Sequence, residues 1–141
     1  MRRVVKGFSF TVILLACALS AWLVCALHAA PVFTGGYGYE LYCGTSSAEI
    51  IRTDAPAAVK LVRFDIRGES VRYEGDRFAE LQKEFSAEVR FTERAGGVVN
   101  YYLYSPKLKS GVVLEGREIN LHIAVSETQT AVGTPLIFGG F

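Results

Sequence analysis

Two hydrophobic rhythms divide the chain. From Gly7 to Leu27 there is no charged residue for 21 positions, and apolar side chains point all round, among them Phe8, Phe10, Leu14, Leu15, Leu19, Trp22 and Leu23. A helix of that length covers about 30 Å, the thickness of a bilayer's hydrocarbon. Arg2, Arg3 and Lys6 precede it, and no cation follows until Arg52. That asymmetry leaves the N-terminus in the cytoplasm and sends everything beyond residue 30 outside. The segment 1–30 is therefore a removed signal peptide or a retained membrane anchor, with Gly7, Leu14, Trp22 and Leu27 inside it. The apolar run exceeds the usual signal length. In Leu27-His28-Ala29 the last residue suits a cleavage site, but Leu27 stands where a second small one is preferred. Both points favour the anchor. Leu14-Leu15-Ala16-Cys17 faintly resembles a lipoprotein box, but ten apolar residues after Cys17 argue against lipidation.

From residue 59 the rhythm shortens to two. Val62, Phe64 and Ile66 alternate with Arg63, Asp65 and Arg67, which predicts a half-buried strand. Gly68-Glu69 interrupts it as a hairpin turn or a bulge before Val71 and Tyr73 resume. Phe78, Leu81 and Phe85 then recur at helical spacing behind Asp76, a residue suited to satisfy free amides at a helix start. Strands follow to the end. One carries Ala87, Val89 and Phe91 inward; the next carries Val99, Tyr101 and Leu103. Val112 to Leu114 leads into a turn at Glu115-Gly116. Ile119, Leu121, Ile123 and Val125 make the cleanest alternation. Thr128 to Phe138 closes the series, with Pro135 suiting an edge or a bulge. The expected class is α+β: an N-terminal transmembrane or signal helix, then one helix packed on a mostly antiparallel sheet in a domain over 59–141.

Between these parts, residues 31–58 read as a connector containing Gly and Tyr. Glu40 to Cys43 alternates enough to add a strand, Gly44 to Ser47 has turn chemistry, and Asp54-Ala55-Pro56 breaks the chain. The glycines at 35, 36 and 38 match neither a dinucleotide fingerprint nor a P-loop, so they read as a flexible stem with aromatic packing.

Composition changes the picture little. With Arg2, Arg3 and Lys6 set aside, twelve basic residues face fourteen acidic ones, about −2 overall. A nucleic-acid binder needs a basic footprint, so the expectation is no nucleic-acid partner. Cys17 and Cys25 lie in the apolar segment, leaving Cys43 without a partner in its own domain. It is read as a partly buried, inert thiol, with an intermolecular disulfide as the alternative. Neither cofactor nor metal is expected, since His and Cys are too few for a site. His122 is the only histidine beyond residue 30 and falls mid-strand on the polar face. It is read as structural, the alternative being a small hydrolase that pairs it with a hydroxyl. Tyr102, Tyr104 and His122 share that face and form the candidate interaction surface, because tyrosine supplies wide contact area with a polar tip.

The C-terminal half also resembles a known group. Ala95-Gly96-Gly97-Val98-Val99-Asn100-Tyr101-Tyr102, Tyr104-Ser105-Pro106, Ile119-Asn120-Leu121-His122-Ile123-Ala124-Val125 and Val132-Gly133-Thr134-Pro135-Leu136-Ile137 are similar to segments of the YwmB-like family, small exported proteins of spore-forming Gram-positive bacteria. The resemblance covers 60–141. It implies a TATA-box-binding-protein-like fold, an extracytoplasmic setting and a link to sporulation or the cell wall, and it brings no catalytic residues. The function expected is non-enzymatic binding of an envelope protein or wall component by a membrane-attached domain.

Overall fold

The computed structural model describes residues 2–44, 49–109 and 111–139. Helix α1 runs Arg2–Ala29 and carries an apolar span, Phe10–Ala29, of 20 residues. The rest is a seven-stranded antiparallel sheet with two short helices and a separate hairpin. The strands are β1 (Tyr37–Cys43), β2 (Glu49–Thr53), β3 (Ile66–Glu74), β4 (Glu88–Ala95), β5 (Val98–Tyr104), β8 (Leu121–Val125) and β9 (Gln129–Thr134), in the order β2-β1-β3-β9-β8-β5-β4. Strands β6 (Val112–Leu114) and β7 (Arg117–Ile119) form the hairpin, while α2 (Pro56–Val62) and α3 (Phe78–Glu84) complete the chain. The α+β class expected from the pattern is the one observed.

One sheet face holds the core. Val71, Leu103, Leu121, Ile123 and Val132 are at most 1% exposed, and they pack under Leu81 and Phe85 at the α3 end. Phe78 stacks on Tyr101, with centroids 4.0 Å apart, and Phe33 meets Phe85 edge-on. The three-residue stripe read from the sequence is thus the covering helix. Asp76 stands just before α3 and accepts the Phe78 amide, while Thr130 Oγ1 accepts that of Arg77. The free donors of a helix start are met from two sides.

Several expectations are corrected. The strand forecast at Lys60 to Ile66 is instead the helix α2 and an extended link. Pro56 occupies the first turn, where its missing N–H costs nothing, and Ala57-Ala58 favour continuing. Val62 and Phe64 are consequently not inward: they are 72% and 79% exposed. Among the described residues there are therefore two helices besides α1, not one. Residues 31–58 are more than a connector, since β1 and β2 join the sheet through β3, and Phe33 and Leu41 are buried in full. The expected turn at Gly44 to Ser47 lies, for residues 45–47, outside the described residues.

Gly68-Glu69 is not a hairpin turn: β3 runs on through it, with a register shift against β1 between Ile66 and Gly68, the bulge alternative. The glycine is there for space: a Cβ at Gly68 would sit 2.8 Å from the Phe138 ring and 2.9 Å from the Thr134 carbonyl. In β4 the inward set fails at Phe91. Val89 pairs with Leu103 but Phe91 with Tyr102, so an extra residue at Arg90 flips the alternation. Phe91 therefore lies on the face opposite the core. Nor is Pro135 in an edge strand, because β9 is central and ends one residue earlier. Beyond it the tail doubles back over that second face. Leu136 and Ile137 press on Gly133, and Phe138 stacks on Tyr42 at 4.1 Å. The strand expected over Ile119 to Val125 divides at Asn120. That buried side chain turns aside to accept the Ser105 amide and donate to the carbonyls of Ser105 and Leu108.

Candidate functional site

The structure places the residues singled out from sequence in two regions. Gly7, Leu14, Trp22 and Leu27 all fall on α1, where Leu14, Trp22 and Leu27 are 54%, 66% and 70% exposed. An apolar helix bare on every side is consistent with lipid around it, and length and composition suit a membrane span or a signal sequence.

Tyr102, Tyr104 and His122 do share the second sheet face, where Tyr102 and His122 touch. Phe91, Tyr102 and His122 form a column of stacked rings, with spacings of 4.4 and 4.5 Å. Arg117 from the β6–β7 hairpin approaches the Phe91 ring, and Arg90 lies 5.4 Å from the centroid of Tyr104. Burial, and a hydrogen bond from Tyr102 to Glu93, push the Tyr102 hydroxyl pKa up.

His122 differs from the wet position expected of it. It is 8% exposed, because the returning tail covers it. Its Nδ1 accepts the Ile137 amide at 3.4 Å, so the proton sits on Nε2, which donates to Asn100 Oδ1 at 3.0 Å. Burial drops its pKa to about 4. Both ring nitrogens are engaged and the ring is neutral at physiological pH. No serine, threonine or cysteine side chain bonds to it among the described residues, so it has the geometry of a packed structural side chain.

A second region went unread in the sequence. Where α1 meets the domain, Glu69 lies buried, 3% exposed, in the middle of β3. Its Oε1 accepts the amides of Val32 and Phe33, and its Oε2 pairs with Lys60 Nζ at 2.8 Å. Lys60 also donates to the Ala30 carbonyl at 2.7 Å. One buried ion pair thus clasps the chain as it leaves α1, and α2 packs along the last turns of that helix. Beside the clasp opens a cleft of about 510 Å³ between His28, the link after α2, β3 and the loop after β5. Lys60, Arg63, Arg67, Lys107 and Lys109 line it, against one carboxylate, Glu69. Its floor is apolar, with Val32, Ile66, Phe85 and Leu108. Arg63 is held by Asp65, whose carboxyl pKa that guanidinium lowers, and by Glu49. The sequence held one trace of this site, the 60, 63, 67 spacing of cations. Lys107 and Lys109 join them only through the fold.

Cys43 is fully buried, and burial raises its thiol pKa. Among the described residues no group of three His, Cys, Asp or Glu is arranged to hold a metal. Compared with known proteins, the chain matches no family model, no curated protein and no solved structure.

Proposed function

We propose that this chain is a membrane-anchored, extracytoplasmic domain of a bacterial envelope that binds rather than catalyses. The observation that carries the reading is the union of α1 with the domain. An apolar helix with cations only at its start ends in a chain segment clasped by Lys60 and Glu69. An anchor held this way presents the domain at the membrane surface in a set pose. The uncovered rings of the column on the second sheet face, Phe91 and Tyr102, edged by Arg90 and Arg117, supply a surface of the kind that envelope proteins or wall polymers contact. The likeness to YwmB-like exported proteins is part of the same proposal and assigns no residue a role.

The engagement of both His122 nitrogens favours this reading over the hydrolase alternative. Protease added to intact protoplasts, followed by N-terminal sequencing of the protein, tests the reading. Removal of the domain from outside, with an intact N-terminus on the membrane fraction, is the expected result. A domain protected until the cells are lysed would overturn it.

A further inference from the structure

We propose that the basic cleft at the base of the domain is a seat for an anionic phospholipid of the bilayer that α1 enters. The inference rests on the anchored reading above and goes further, because it names a ligand class and the residues that meet it.

Position is the first argument. His28 in the last turn of α1 lines the cleft, and its ring stacks on Phe64 with centroids 4.7 Å apart. Helix α2 lies against α1 as far down as Trp22 and Cys25, through Ala57, Ala58 and Leu61. The stretch of helix from Trp22 to Ala29 covers about 10 Å along the axis. Tryptophan favours the headgroup level. With Trp22 at that level, the turns from Trp22 to Ala29, and α2 beside them, stand at the outer headgroups.

Exposure is the second. Leu61, Val62 and Phe64 are 49%, 72% and 79% exposed, close together on one short segment beside the helix end. They are a costly set to leave in water. They become ordinary when sunk at a membrane interface, where short amphipathic segments bury such residues below a ring of cations.

Charge is the third. A domain with an acidic excess gathers five cations at this one cleft. Two of them have internal duties: Lys60 in the clasp and Arg63 with Asp65 and Glu49. Lys107 reaches the Glu84 carbonyl, Arg67 helps to hold down the Asp65 pKa without a direct ion pair, and Lys109 enters no ion pair among the described residues. A lipid phosphate among these three cations, with its acyl chains running down past Phe64 along α1, satisfies the cleft's mouth and its apolar floor together.

The test uses the full chain in nanodiscs of phosphatidylcholine alone or mixed with phosphatidylglycerol. Each preparation is released into mild detergent, and native mass spectrometry counts the lipids that stay. Retention of phosphatidylglycerol in preference to phosphatidylcholine is expected, weakened by about fivefold for each cation removed in Arg67→Gln and Lys109→Gln. Phe64→Ser, at an exposed position, should also weaken it. Equal retention of the two lipids, or full retention by the double glutamine variant, overturns the proposal. So does displacement of the lipid by inorganic phosphate beyond the effect of chloride at equal ionic strength, since that marks a site for free anions. Quenching of Trp22, the sole tryptophan, by brominated lipid separates the two readings. If Trp22 is quenched and no phosphatidylglycerol stays, the lipid seat alone fails. If Trp22 is not quenched, the anchor fails and the seat with it.

Discussion

Acid should unfold this domain through His122 before its carboxylates take over. The ring's pKa moves from an ordinary 6.5 to about 4 on folding, because burial disfavours the charged form. The folded state therefore binds fewer protons than the unfolded one. The associated stability is complete above pH 6.5, falls as the pH drops, and is gone below about 4. Every tenfold loss of proton affinity on folding is worth about 1.4 kcal/mol. The full effect is then about 3 kcal/mol, with about 2 kcal/mol already lost at pH 5. Protonation would also place a second N–H at Nδ1, against the Ile137 amide that now donates there. The assay is urea unfolding of the full chain in mild nonionic detergent at pH 7.5 and pH 5, for wild type and His122→Gln. With a urea slope of about 1–3 kcal/mol per M, the wild-type midpoint should fall by about 1 M more than that of the variant. Parallel losses in the two proteins would show that His122 does not govern the pH response, and the account of its burial would fail.

Other perturbations separate the buried from the exposed. Lys60→Met leaves Glu69 buried without its cation and should cost about 3–5 kcal/mol; adding Glu69→Gln should recover part of that loss, as a double-mutant cycle in denaturant would show. Phe85→Ala should cost about 3–5 kcal/mol, whereas Phe64→Ala, at a 79% exposed ring, should stay within about 0.5 kcal/mol in detergent. Equal costs at the two positions would contradict the observed split between core and surface. Cys43 should resist a bulky thiol reagent in the folded protein and react once urea unfolds it, as mass spectrometry would read; rapid labelling of the native chain would refute its burial.

The periodic parts of the sequence are legible because periodicity is a direct image of one-sided burial. Phe78, Leu81 and Phe85 mark their helix, and the alternation from Ile119 to Val125 marks which side chains face the core. Alternation misleads at Lys60 to Ile66, where Pro56 and two alanines start a helix that carries Val62 and Phe64 outward. It misleads again at Phe91, since a single inserted residue reverses parity without leaving a compositional sign. Gly68 resembles a turn because a missing side chain reads the same whether the chain bends or Phe138 arrives from the far end of the molecule. Strand parity does put Tyr102, Tyr104 and His122 on one face, but the tail that covers His122 comes from beyond the strand and is invisible to local pattern. The clasp of Lys60 and Glu69 and the cleft beside it depend on separated segments meeting, which no window of sequence displays.

On the exported reading proposed above, the clasp also sets an order of events. A processing enzyme must draw the residues before its cut into an extended shape, yet here they are helical to Ala29, with the Ala30 carbonyl already taken by Lys60. Once the domain closes, a scissile bond at Ala29-Ala30 is withdrawn from any such enzyme. Trimming and folding would then compete in time, and a mutation that slows closure of the sheet would raise the share of shortened chains without altering the cleavage sequence at all.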